Sequence, residues 1–271
     1  MKIKIVAALI ALAGPALADD RPFVFAYTTD IATEGEKEIE QEVSWASGHD
    51  REAYQSFESR TEFEYGVSDD FQAAAYLNYD WERLRPHDPF TPVETSDATG
   101  VSGEFIYRLM NPYFDPVGLA LYAEPSIGNG SRSFEVKILL QKNFFHDALR
   151  LALNVNLEDR WEKNALGHYD QSSALEFFGG AAYNITPEWS AGVELAHERG
   201  YDGLIVGGSS RNVDDATFFG PTIQYVGHPL HVVIGAQAQL PWAGGPAGSL
   251  RGGYLGDAER FRLRLRVGMD I

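Results

Sequence analysis

Long stretches of this chain switch between apolar and polar residues at every step, and that period restricts what it can fold into. Phe134 to Gln141 reads F-E-V-K-I-L-L-Q, Leu149 to Glu158 reads L-R-L-A-L-N-V-N-L-E, and Phe261 to Ile271 reads F-R-L-R-L-R-V-G-M-D-I. Successive side chains of an extended strand point to opposite faces, so period two is the strand period. No segment carries a convincing helical period. By this pattern we count about 12 strands. Their expected spans are 36–47, 54–67, 71–82, 100–110, 117–127, 133–143, 148–160, 173–185, 189–199, 216–226, 230–241 and 259–271. The stretch Arg21 to Asp30 is also strand-like; it either adds a strand or lies outside the barrel.

The connections alternate in length. Tight ones fall at Ser68-Asp69-Asp70, Asn111 to Pro116, Phe145-His146-Asp147, Thr186-Pro187-Glu188 and Gly227-His228-Pro229. Longer ones run from Arg83 to Thr99, Trp161 to Ser172, Gly200 to Asp215 and Ala243 to Ala258, with shorter exceptions near Gly48 and Asn129. In an up-and-down barrel all the tight turns then share one end, the arrangement of membrane barrels with short turns on one side and long loops on the other.

Alternation does not say which face is wet, because a soluble sandwich or barrel hides its apolar row inward. The aromatic residues separate the two cases. Trp45, Trp81, Trp161, Trp189 and Trp242 share the apolar parity and sit near strand ends. Tyr65, Phe71, Tyr183 and Tyr225 do so near the tight turns, and Tyr79, Phe177 and Phe219 near the long loops. Amphipathic rings favour a membrane interface, so two aromatic girdles are expected. The opposite row carries Glu38, Glu40, Glu42, Glu58, Arg60, Glu62, Glu64, Asp80, Glu104, Arg108, Glu124, Glu135, Lys137, Arg150, Glu158, Glu176, Glu194, Arg262, Arg264 and Arg266. One Arg or Lys facing lipid at the midplane costs about 2–4 kcal/mol. Several per strand would prevent insertion, so the charged row is assigned to the lumen. Closure sets the last strand beside the first. The Arg262, Arg264, Arg266 ladder should then lie beside the Glu38, Glu40, Glu42 ladder, an opposite-charge seam that favours register.

The N-terminus begins Met1-Lys2-Ile3-Lys4, continues apolar to Leu12, and reaches the small-residue site Ala16-Leu17-Ala18. A positive start, a short apolar core and an A-x-A site make a secretory signal, with cleavage expected before Asp19. The apolar run falls short of the roughly 20 residues a membrane helix needs. The chain has no cysteine, which excludes disulfides, thiol chemistry and cysteine metal sites. Its formal net charge of −17, with both lysines of the leader included, argues against nucleic acid as a partner.

Candidate chemistry is sparse outside the lumen. Barrels of about 8 strands are filled by side chains and those of 16–18 hold aqueous channels, so about 12 leaves conduction open. Carboxylates dominate the inward row, and acidic rings select cations. His228 and His231 flank Pro229; without further ligands they read as turn and rim residues in water rather than a metal site. His49, His87 and His168 read as plain loop residues. Gly207-Gly208-Ser209-Ser210-Arg211 lacks the second glycine of a nucleophile elbow and its strand–helix context, which speaks against a membrane lipase. Asp202, Asp214 and Asp215 match no calcium loop and read as a solvated acidic loop.

The signal, the alternating strands and the terminal strand Phe261 to Ile271 resemble Gram-negative outer-membrane barrel proteins. Pro22-Phe23-Val24-Phe25-Ala26-Tyr27 and Glu34-Gly35-Glu36-Lys37-Glu38-Ile39-Glu40-Gln41 resemble an uncharacterised, porin-like family of such barrels. The resemblance implies contact with outer-membrane lipid and insertion by the barrel-assembly machinery, and implies no substrate. One departure is the end at Ile271, where such chains usually carry phenylalanine or tryptophan.

The expectation is therefore all-β: a single transmembrane antiparallel up-and-down barrel of about 12 strands. Residues 1–18 are a signal peptide, 19–35 an N-terminal periplasmic segment, and 36–271 the barrel. The pore-lining set is Glu38, Glu40, Glu42, Glu58, Arg60, Glu62, Glu64, Glu104, Arg108, Glu124, Glu135, Arg150, Arg262, Arg264 and Arg266. No catalytic residue, metal or cofactor is expected. The expected role is a porin-like channel for passive diffusion of small polar or cationic solutes; the alternative is a closed structural or surface-interaction barrel.

Overall fold

The structure is a computed structural model and describes residues 21–48, 52–86, 93–164, 166–206, 210–240 and 258–271. Twelve strands follow one another: β1 (Lys37–Ser47), β2 (Glu52–Ser68), β3 (Phe71–Pro86), β4 (Glu94–Met110), β5 (Gly118–Gly128), β6 (Ser131–Phe144), β7 (Leu149–Lys163), β8 (Tyr169–Asn184), β9 (Trp189–Asp202), β10 (Arg211–Val226), β11 (Leu230–Gln239) and β12 (Phe261–Asp270). Each pairs antiparallel with its chain neighbours, and β1 pairs with β12, so the sheet closes on itself. Closure leaves no unpaired edge, which a spanning sheet in hydrocarbon requires.

The two rows separate as the charge argument demands. Leu77 is 65% exposed and Val101 54%, whereas Glu104 is 1% and Arg266 0% exposed. A soluble protein does not leave a continuous belt of leucine, valine and isoleucine in water, since each such side chain forgoes roughly 1.5–3 kcal/mol of burial. The belt is the lipid face. At the tight-turn end Trp189 meets Tyr225 with ring centroids 5.0 Å apart, and at the other end Trp45 meets Phe261 at 5.9 Å. Trp81 and Trp161 stand at the long-loop end on half-exposed outward positions. Trp242 lies outside the described residues, as do the signal segment, His49, His87 and Ser209.

Several strands run past their expected ends. The loops expected from Arg83 and from Gly200 are strand over half or more of their length, because β3 continues to Pro86, β4 begins at Glu94, and β9 and β10 extend to Asp202 and back from Arg211. These extensions are largely polar, with only scattered apolar residues such as Leu84 and Val213, so no sustained alternation marks them. A tilted membrane strand needs about 9–11 residues. The 17 residues of β2 and of β4 therefore overshoot the bilayer at the long-loop end.

Residues 21–33 depart most from expectation. They form no strand and do not lie outside the barrel as a periplasmic segment; they run inside the lumen, with Phe23, Ala26 and Thr29 fully buried. The physical reason is their composition. Phe23, Val24 and Phe25 pack on Phe178, Ala182, Ala196, Phe218 and Val233, while Tyr27 and Ile31 pack on Ile106, Ala120, Tyr122 and Leu139. An apolar stretch able to reach a lumen with small apolar inward patches buries itself there.

Candidate functional site

The lumen walls hold this plug by its backbone. A segment without strand pairing must find partners for its N–H and C=O groups, and inward side chains supply them. Glu194 on β9 accepts the N–H groups of Val24 (3.1 Å), Phe25 (2.9 Å) and Ala26 (2.9 Å). Asn154 on β7 accepts from Tyr27 N–H at 2.6 Å and donates to Tyr27 C=O at 2.9 Å, so its amide imitates a neighbouring strand. Gln141 on β6 accepts the Thr29 N–H at 2.7 Å, and Gln72 on β3 accepts the Ala32 N–H at 2.8 Å. The Thr222 hydroxyl donates to Pro22 C=O at 3.0 Å, and Arg266 donates to Phe23 C=O at 3.1 Å. The Tyr27 hydroxyl donates to Glu104 at 3.4 Å.

Glycines on the inward face make room. A Cβ at Gly180 would fall 2.5 Å from the Phe23 ring, and one at Gly235 would fall 2.4 Å from a Val24 methyl. Glycine within a strand can mark close approach of another chain segment, and Gly180 and Gly235 carry that mark here.

Above the plug, toward the long-loop end, lies a cavity of about 470 Å³ with Phe25, Tyr27 and Phe178 among its lining residues. Below it lie two spaces of about 10 Å³ among the described residues, each the size of one water. Among the described residues the lumen is thus a vestibule whose floor is formed by residues 21–33.

The expected pore-lining residues divide between these zones. Glu42, Glu58, Arg60, Glu124, Glu135, Arg262 and Arg264 line the vestibule. Arg60 meets Glu124 at 2.7 Å, and Arg264 meets Glu42 at 3.4 Å and Glu58 at 3.7 Å. Glu62, Glu64 and Glu104 lie under Tyr27, where Glu104 also accepts the Tyr76 hydroxyl at 2.6 Å. Arg150 faces Asp30 of the plug at 3.8 Å, and Arg108 meets Asp70 at 3.6 Å beside the tight turn. Glu38 and Glu40 are buried near the tight-turn end of β1.

At the seam, Glu42 stands opposite Arg266 and Ser44 opposite Arg264. The ion pairs run diagonally, because Arg266 reaches Glu40 through Nε at 2.9 Å and Nη2 at 2.5 Å, a two-pronged grip. Arg262 turns away from β1 to Glu198 at 2.6 Å. Glu38 is met by His231, whose Nε2 lies 3.3 Å from it and 3.4 Å from Glu40. His231 is therefore no rim residue in water, unlike exposed His228: it is the second residue of β11 and points inward. The trio Glu38, Glu40 and His231 has the atoms of a partial metal site, but Arg266 already occupies both oxygens of Glu40. Asp202 and Asp215 pair with Arg211 at 3.4 Å and Arg199 at 3.3 Å.

A closed barrel of twelve strands with an ionic lumen and an apolar girdle belongs to the class of outer-membrane β-barrels. The chain belongs to DUF6662, a family of unknown function, which matches residues 15–271. No curated protein matches it. Among solved structures it is similar to the COG4313 outer membrane channel from Pseudomonas putida F1, at 13% identity and a TM-score of 0.64 over 92% of this chain and 100% of that one. The NanC porin matches at 12% identity and a TM-score of 0.53, over 87% and 100%. The translocator domain of the autotransporter NalP from Neisseria meningitidis matches at 11% and 0.55, over 89% and 90%. At such identities the likeness is one of fold, the fold of outer-membrane channels and porins.

Proposed function

We propose that this protein sits in the outer membrane as a porin-like channel for small polar solutes, with a preference for cations, and that residues 21–33 set whether it conducts. The carrying observation is the vestibule. Its nine carboxylates, among them Glu42, Glu124 and Glu176, face six basic side chains, a net acidic wall in a space of about 470 Å³. Acidic linings raise the local concentration of cations and favour their entry. The floor beneath is held by side-chain hydrogen bonds and apolar contacts, not by a strand ladder, so it can leave without unzipping the sheet.

Planar-bilayer recording tests this. The complete mature chain should show rare or small openings. A form lacking residues 21–33, and separately the double variant E194A/N154A, should show larger discrete steps with cation-biased reversal potentials. A second reading, a closed barrel acting through its surface, draws on the two spaces of about 10 Å³ beneath the plug. Silence from all three proteins, each folded, would favour that reading and overturn the channel.

A further inference from the structure

Four carboxylates project into the vestibule from neighbouring strands at nearly one level. Glu135 on β6 stands directly opposite Glu158 on β7, and Glu176 on β8 directly opposite Glu198 on β9. Like charges directly opposed in a ladder destabilise it unless they are neutralised. Three of the four have a cation of their own. Lys137 lies 3.0 Å from Glu135, Arg160 lies 3.1 Å from Glu158, and Arg262 lies 2.6 Å from Glu198. Glu176 has none within ion-pair distance among the described residues; its polar partner is the Asn156 amide Nδ2, which donates to it at 3.4 Å.

Asn156 supplies an independent observation. It is 4% exposed, it lines the same cavity, and its Oδ1 has no hydrogen-bond partner among the described residues. A buried amide oxygen left without a donor is a costly arrangement that a ligand donor would relieve. A carboxylate without a cation and a carbonyl oxygen without a donor therefore adjoin at one spot. Phe178, two residues beyond Glu176 on the same inward row, lines the same cavity.

We propose that Glu176 and Asn156 form a subsite for a primary ammonium group of an organic solute. This deepens the channel reading, on which its transport meaning rests. An ammonium offers three N–H donors and one positive charge. Glu176 and Asn156 Oδ1 accept two donors, and water in the vestibule takes the third. Aromatic rings on the cavity wall tolerate a cation nearby. A divalent metal ion fits less well: calcium takes 6–8 oxygens and magnesium a full octahedron, and the other three carboxylates are already tied to Lys137, Arg160 and Arg262. A quaternary ammonium has the charge but lacks the donors that Asn156 needs.

The test is calorimetric titration of the full mature chain in detergent, at neutral pH and low salt, with 1,4-diaminobutane as the probe. Saturable binding is expected. It should weaken at least tenfold in E176Q and several-fold in N156L, and stay unchanged in E188Q, which removes an exposed charge at a tight turn. Tetramethylammonium and 1,4-butanediol should each bind at least tenfold more weakly than the diamine to the unaltered protein, a comparison that does not depend on any variant folding. The proposal is overturned by absence of saturable binding, by equal binding of the diol or the quaternary ion, or by a folded E176Q that binds as well as the parent. Binding is read without current. A silent barrel that binds the diamine would sink the channel reading alone, and a conducting barrel that ignores it would sink the subsite alone.

Discussion

Asn154 illustrates how much one inward side chain does in this lumen. Its amide bridges both backbone groups of Tyr27, and neither has an obvious substitute, because this part of the plug makes no strand pairing. Replacing it by leucine keeps the volume but leaves a buried N–H and C=O without partners, each costing about 1–3 kcal/mol. We expect N154L to keep its strand content while lowering the midpoint of urea unfolding and speeding hydrogen exchange of the amides of residues 24–29. Equal exchange in parent and variant would show that Asn154 does not anchor the plug. In the sequence, Asn154 is one polar residue in an alternating run and reads as generic lumen. Its partner lies 127 positions away, a distance no local pattern encodes. His231 misled for the same reason: its position beside Pro229 reads as a turn, while its pairing with Glu38 depends on β1 closing against β12, which sets β11 one strand away from β1.

At the level of strands and segments, the alternating row was legible wherever one face met lipid and the other charge. Legibility ended where both faces met water, at Arg83–Pro86 and Arg211–Asp215, because equal environments erase period two. The plug was opaque for the opposite reason: Phe23 to Ala26 is apolar on every side, since the wall surrounds it. The seam was legible as an opposition of charge, though not in its pairing. Arg266 leans to Glu40 rather than to Glu42 across from it. Reversing this one charge puts a glutamate beside Glu40 in a fully buried position. Breaking a buried pair in this way typically costs about 3–5 kcal/mol. R266E should therefore fold with a markedly lower yield in refolding into detergent micelles, followed by the mobility difference between unheated and heated samples on gels. R262E, whose partner is on β9, should harm closure less. Equal yields for the two variants would remove the seam as the element that sets register.

Taken whole, the molecule is asymmetric along its axis. One end carries the tight turns and the entry of the plug, where Gly35 N–H donates to Gly66 C=O at 2.9 Å. The other end opens into the acidic vestibule. The absence of cysteine makes this polarity measurable, because any introduced thiol is unique. Glu58 lines the vestibule and is about half exposed there, whereas Glu34 is exposed at the tight-turn end. Short turns face the periplasm in outer-membrane barrels. A membrane-impermeant maleimide added to intact cells should therefore label E58C rapidly and leave E34C unmodified until the cells are lysed. With the plug in place the reagent should not pass between the two positions, because the two spaces found beneath it are each only the size of a single water. Labelling of E34C from outside in the otherwise unaltered chain would mean that the barrel is inserted the other way or that the floor is open. The two cases separate on E58C, which loses its outside reactivity only if the orientation is reversed. Combining E34C with the plug-loosening pair E194A/N154A should let the reagent through, which links the side chains that grip residues 24–27 to the state of the whole lumen.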